Sequence, residues 1–112
     1  MSREKMKKIA TEAREVVKEI RDLGYRCSEP EDAGDCLESY VELNDNVVRL
    51  VFLQPRYTDL ILIKLTDEVG GCEEAIYSPR GLYVLANNPR EAADAIISKA
   101  KMLTAKPRSG PS

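Results

Sequence analysis

The 112-residue chain has no histidine, no tryptophan and one glutamine, Gln54. Without an imidazole it lacks the side chain that titrates near neutral pH and most often serves as general base. No Ser, Cys or Lys stands in a recognisable nucleophile motif either, so the chain reads as a non-enzyme. There is no run of about 18 apolar residues to span a bilayer. The N-terminal MSREKMKK leads into a charged helix and not into the apolar core of a signal peptide. A cytoplasmic protein without membrane association is expected.

Cysteine is sparse. Cys27, Cys36 and Cys72 supply at most three soft ligands, short of the four of a structural zinc site, so neither metal nor cofactor is expected. Three thiols cannot all pair within one chain, and a reducing cytosol would leave them free. The absence of histidine, the near absence of glutamine and the wealth of Lys, Arg, Glu and Asp form the composition of a thermophile. In a hyperthermophile, Cys27 and Cys36 would close a short loop around SEPEDAGD; free buried thiols are the alternative. The segment DEVGGCEE carries Asp67, Glu68, Glu73 and Glu74 but misses the calcium-loop spacing. Its glycines lack the Lys-Ser/Thr of a phosphate loop and read as a turn.

With 43% hydrophobic and 32% charged residues the chain is globular, and its length suits one domain, residues 1–105, followed by a flexible basic tail, 106–112. The net charge of −2 conceals segregation. Acidic residues gather in two connecting segments, 25–46 and 66–78, leaving the intervening strands and both terminal helices cationic.

Met6, Ile9, Ala13, Val16, Val17, Ile20 and Leu23 recur at steps of three and four, which predicts a helix over about 4–23 closed by Gly24. Residues 28–35 read as an acidic loop. LESYVEL then alternates as a strand up to the turn signal NDN, and Val47 to Gln54 forms its hairpin partner. QPRYT turns into a third strand, Asp59 to Leu65. Leu82–Leu85 completes a sheet from Leu37 to Leu85 as its fourth strand, or as its fifth where a short strand over Ala75–Tyr77 precedes SPRG. Asn88-Pro89 opens a last helix near 89–104, with Ala92, Ala93, Ile96, Ile97, Ala100 and Leu103 as its apolar stripe. The expected architecture is α+β: two layers in the order α-β-β-β-β-α, an antiparallel sheet with both helices on one face.

The stretch NVVRLVFLQPRYTDLILIKL is apolar on both strand parities, whereas a sheet with one solvated face normally alternates. Period two places Val47, Arg49, Val51, Leu53, Leu60, Leu62 and Lys64 on the face the helices leave bare. That face reads as a greasy floor with a basic margin. The candidate binding set is Arg49, Val51, Leu53, Arg56, Tyr57, Leu62, Lys64, Arg80 and Tyr83. Tyr40, Tyr77 and Phe52 are further stacking candidates, and Arg90 a further cation; Tyr25 and Tyr77 equally suit a core role with a polar tip. Single-stranded DNA or RNA fits such a surface through stacking and phosphate contacts. A protein-protein interface, with Arg49 and Lys64 reaching to its rim, fits as well, and so much apolar area predicts a homo-oligomer. If Arg49 and Lys64 serve structure instead, Glu42 or Asp59 is the expected acidic partner.

The helix ending LGYRCSE, the segments VELNDNVVRLVFLQ and TDLILIKL, the strand GLYVL and the closing helix NPREAADAIISKA give the chain an element order and size that resembles the ThermoDBP family over about residues 5–104. Those are archaeal single-stranded DNA-binding proteins and relatives, some proposed to bind RNA. The resemblance implies an α+β domain that holds single strands in an apolar cleft edged by basic residues. No short motif matches, so no family binding residue carries over. KPRSGPS does not resemble the long C-terminal leucine-zipper extension of the family's founding proteins, so an oligomer is expected to use another surface.

Overall fold

A computed structural model describes residues 3–34, 36–54, 61–66, 71–72, 81–86 and 88–104. Helix α1 spans Arg3–Asp22 and helix α2 spans Pro89–Thr104. Between them run β1 (Arg26–Cys27), β2 (Glu31–Asp32), β3 (Leu37–Leu43), β4 (Asn46–Leu53), β5 (Ile61–Thr66) and β6 (Leu82–Ala86). The fold is α+β, with one antiparallel sheet in the order β1-β3-β4-β5-β6; β2 also pairs with β3. Pro55 to Thr58 of the expected QPRYT turn, the first two residues of the strand expected from Asp59, the strand at Ala75–Tyr77, the side chain of Met6 and the tail fall outside the described residues.

Local chemistry sets the element ends. Gly24 has φ 98° and closes α1, with its N–H donating to the Arg21 carbonyl at 2.9 Å and the Tyr25 N–H reaching the Ile20 carbonyl at 3.3 Å. At the start of α2 the Asn88 Oδ1 accepts from the Arg90 and Glu91 amides at 2.9 and 3.2 Å, satisfying two of the first-turn donors. Asn44 and Asp45 both take positive φ, 50° and 66°, the two-residue hairpin loop whose twist matches that of its strands. This loop pairs Leu43 with Asn46, and every later β3-β4 pair follows, including Tyr40 with Arg49 and Glu38 with Val51. Gly81, at φ 103°, enters β6 where a side chain would run into the Leu65 carbonyl oxygen.

Both helix stripes join one buried cluster. From α1 come Ile9, Ala13, Val16, Val17 and Ile20, and from α2 Ala92, Ala93, Ile96, Ile97 and Ala100. The strands contribute a single parity to it: Leu37, Val41 and Leu43 of β3, Val48, Leu50 and Phe52 of β4, Ile61, Ile63 and Leu65 of β5, and Val84 of β6. Each of the larger side chains contributes roughly 1.5–3 kcal/mol by leaving water. Phe52 is fully buried here, which removes it from any stacking role. Tyr25 packs on the edge of the cluster, the core role open to it from sequence. Leu23, expected at the end of the stripe, is exposed.

Two findings correct the sequence reading. The acidic loop contains β2 and is preceded by β1. Strands of two residues carry no alternation to detect and exist only through pairing, Arg26 with Glu42 and Glu31 with Glu38. The disulfide joins Cys36 to Cys72, 36 positions apart, and leaves Cys27 free and buried. Cys27 pairs with Val41 and belongs to the helix-facing cluster, whereas Cys36 precedes Leu37 and points through the opposite face. The sheet itself separates the two thiols that sequence proximity had brought together.

Cross-linking positions 36 residues apart removes unfolded-state entropy worth about 3–4 kcal/mol. Cys36→Ser and Cys72→Ser should each lose about that much in urea unfolding, and the double variant should lose no more than either alone. A double loss twice as large would show that the two sulfurs act independently.

Candidate functional site

The register settles which side chains share the face opposite the helices. One row across the strands holds Arg26, Glu42 and Val47; the next holds Tyr40, Arg49 and Thr66; the next Glu38, Val51, Lys64 and Tyr83; the next Leu53, Leu62 and Leu85. Six members of the sequence-derived set, Arg49, Val51, Leu53, Leu62, Lys64 and Tyr83, therefore come together as expected. Arg56, Tyr57 and Arg80 lie outside the described residues, as does Leu60.

The face is not, however, the open floor that the sequence suggested. Arg49, Val51, Leu53, Lys64 and Thr66 are all buried, although both helix stripes pack on the other parity. Cys36 and Cys72 form a second, smaller cluster with Val51 and Leu53, against which Ala33 and Leu62 pack. The disulfide thus ties Cys72 onto this face, where its Sγ also contacts the Ala33 carbonyl oxygen at 3.3 Å.

The two cations are accommodated in the protein. Arg49 donates from Nε and Nη2 to Glu38 Oε2, at 2.9 and 2.8 Å, and the second carboxylate oxygen accepts from the Tyr40 hydroxyl at 3.4 Å. The expected partners were Glu42 and Asp59. Glu38 and Glu42 both lie diagonal to Arg49 in the ladder, and Glu38 is the one toward the covered part of the face, where less water strengthens an ion pair. Asp59 lies outside the described residues. The Lys64 Nζ stands 5.2 Å from the centroid of the Tyr83 ring, within cation-π range.

Two flanks of the face remain exposed. On the β3-β4 hairpin, Tyr40 is 38% and Val47 55% accessible; on β6, Tyr83 is 38% and Leu85 49% accessible. Between β1, β3 and β4 the first flank forms a groove of about 330 Å³ lined by Arg26, Cys27, Ser28, Tyr40, Glu42 and Val47. Arg26 and Glu42 were absent from the sequence-derived set. The signal for Glu42 was nonetheless legible, because an NDN two-residue loop dictates that it sits beside Val47, two positions from Tyr40. At the outer edge of β6 the Lys99 Nζ donates to the Tyr83 carbonyl at 2.8 Å, and this lysine blunts the edge.

Among the described residues no group of three or more Cys, Asp or Glu is arranged to hold a metal ion. No helix among them is long and apolar enough to cross a membrane. Comparison with models of known families, with curated proteins and with solved structures gives no match to this chain.

Arg49→Ala leaves Glu38 without its cation in a site where the two side chains are only 6% and 24% accessible. We expect a loss of about 2 kcal/mol in chemical unfolding, below the 3–5 of a fully buried pair because Glu38 keeps some water. An unchanged midpoint would demote the pair to a surface contact.

Cys27 yields a second expectation. Burial pushes its thiol above the ordinary value, against the smaller lowering effects of the Ser39 hydrogen bond and of Arg21. The folded protein therefore holds this proton more tightly than the unfolded chain. The associated stability is complete below the ordinary thiol pKa and is lost as pH rises through the raised value. Cys27→Ala should accordingly flatten the fall of melting temperature on the alkaline side; an identical alkaline profile would contradict this.

Proposed function

We propose that the protein is a non-catalytic binder of single-stranded nucleic acid that uses the exposed flanks of the helix-free face. The observation that carries this reading is the pair of half-exposed tyrosines, Tyr40 and Tyr83, on one face, with Arg49 and Lys64 between them. Tyrosine rings offer stacking surface to any base, and base-aromatic stacking contributes roughly 1–3 kcal/mol per base without a sequence motif. Three strand spacings separate β3 from β6 in the sheet order, about 14 Å, so the two rings suit different nucleotides of one strand. Because Arg49 is already engaged by Glu38, phosphate contacts fall mainly to cations outside the buried centre, and stacking carries the larger share of affinity. Whether the natural strand is DNA or RNA, the shared chemistry is an unpaired base beside a phosphate.

A second reading has its own support. Val47 and Leu85 are large apolar side chains exposed on this same face, which suits association between copies of the chain. One experiment separates the two readings: fluorescence anisotropy with a labelled mixed-sequence single strand at low and moderate salt, paired with sedimentation of the same sample. The nucleic-acid reading expects binding with a shallow salt dependence, weakened in Tyr40→Ala while the melting temperature holds. Absence of binding at low salt, with a dimer in sedimentation, would replace it with the interface. Absence of binding from a monomer would remove both.

A further inference from the structure

The groove between β1, β3 and β4 carries a chemistry that stacking alone does not use. Arg26 and Glu42 are opposite one another in the β1-β3 register, yet among the described residues neither side chain makes an ion pair or hydrogen bond. Their charges are available to a ligand. Val47, directly across β3-β4 from Glu42, supplies an apolar floor. Tyr40 stands two residues along β3 from Glu42 on the same face, about 7 Å away in an extended strand. Its hydroxyl is held by Glu38, which lies on the other side of Tyr40 along the strand, so the polar tip is directed away from Glu42. At about 330 Å³ the groove is at the small end of ligand sites, the scale of one nucleotide and not of a large cofactor.

We propose that this groove is a base-reading subsite for one nucleotide of the bound strand, selective for bases that carry an exocyclic amino group. The inference rests on the nucleic-acid reading above and adds specificity to it. The base lies on Tyr40 over Val47, Arg26 meets the adjoining phosphate, and the Glu42 carboxylate accepts from the amino group. A carboxylate is acceptor-only, so it suits the amino donor of cytosine, adenine or guanine. Thymine and uracil turn two carbonyl oxygens and one N–H toward such an acceptor, and their oxygens are repelled. Exposed bases of single strands are commonly read in this way, by stacking plus contacts to the Watson-Crick edge.

The test is an anisotropy titration with homo-oligodeoxycytidine and homo-oligothymidine of equal length at one salt concentration, using the full chain. Wild type should favour the cytidine strand by roughly tenfold, the scale of a hydrogen bond to a charged group. Glu42→Gln should bring the ratio close to one, because an amide presents both a donor and an acceptor, and Tyr40→Ala should weaken both strands together. Glu42 is exposed and its side chain makes no hydrogen bond or ion pair among the described residues, so Glu42→Gln should keep the wild-type melting temperature. Equal affinity for the two strands in wild type, or a preference that survives Glu42→Gln, overturns the subsite and leaves the binding reading standing. No binding of either strand overturns both.

Discussion

The structure turns on strand β4, whose residues Val48 to Leu53 are buried without a break. A strand in the middle of a sheet can be apolar on both parities only if both faces of the sheet are shielded from water. Helices α1 and α2 shield one, and Val48, Leu50 and Phe52 meet them there. The second shield has no secondary structure of comparable size among the described residues; it is centred on the Cys36-Cys72 bond over Val51 and Leu53. The covalent tie holds Cys72 there against Val51 and Leu53.

Covering that face changes what its charges do. A cation in a solvated groove is free to meet phosphate, whereas one enclosed by protein needs a partner already in place. Arg49 has Glu38, which also engages Tyr40, and Lys64 has the face of Tyr83. The same contacts that accommodate the buried cations hold the two tyrosines whose remaining surface points outward. In the proposed function the centre of the face is thus scaffolding, and recognition belongs to its flanks. Glu42 and Arg26 differ from Arg49 in this respect: they occupy the open end of the face, where among the described residues no ion pair or hydrogen bond engages their side chains.

Much of this was legible residue by residue. The three-and-four spacing in α1 and α2, the Asn88 cap, the NDN loop and the parity that unites Arg49 with Lys64 are all local or period-two properties, and each appears in the fold. The six described members of the candidate site were legible as residues of one face but not as an exposed surface. Cover comes from Cys72, 36 positions from its partner, and no local pattern announces a contact of that range.

By itself the sequence determined the α+β class, the two helices, the hairpin around NDN and which residues of β3, β4 and β5 share a sheet face, because backbone geometry and side-chain periodicity act over a few residues. Tertiary structure alone decided the disulfide partner, the choice of Glu38 over Glu42 for Arg49, and the pairing of β1 and of β2 with β3. Each of those depends on which side of a sheet a side chain leaves from, or on which segments a fold brings together. Burial is a property of the assembled layers, and so the division of the helix-free face into a closed centre and two open flanks could not precede them.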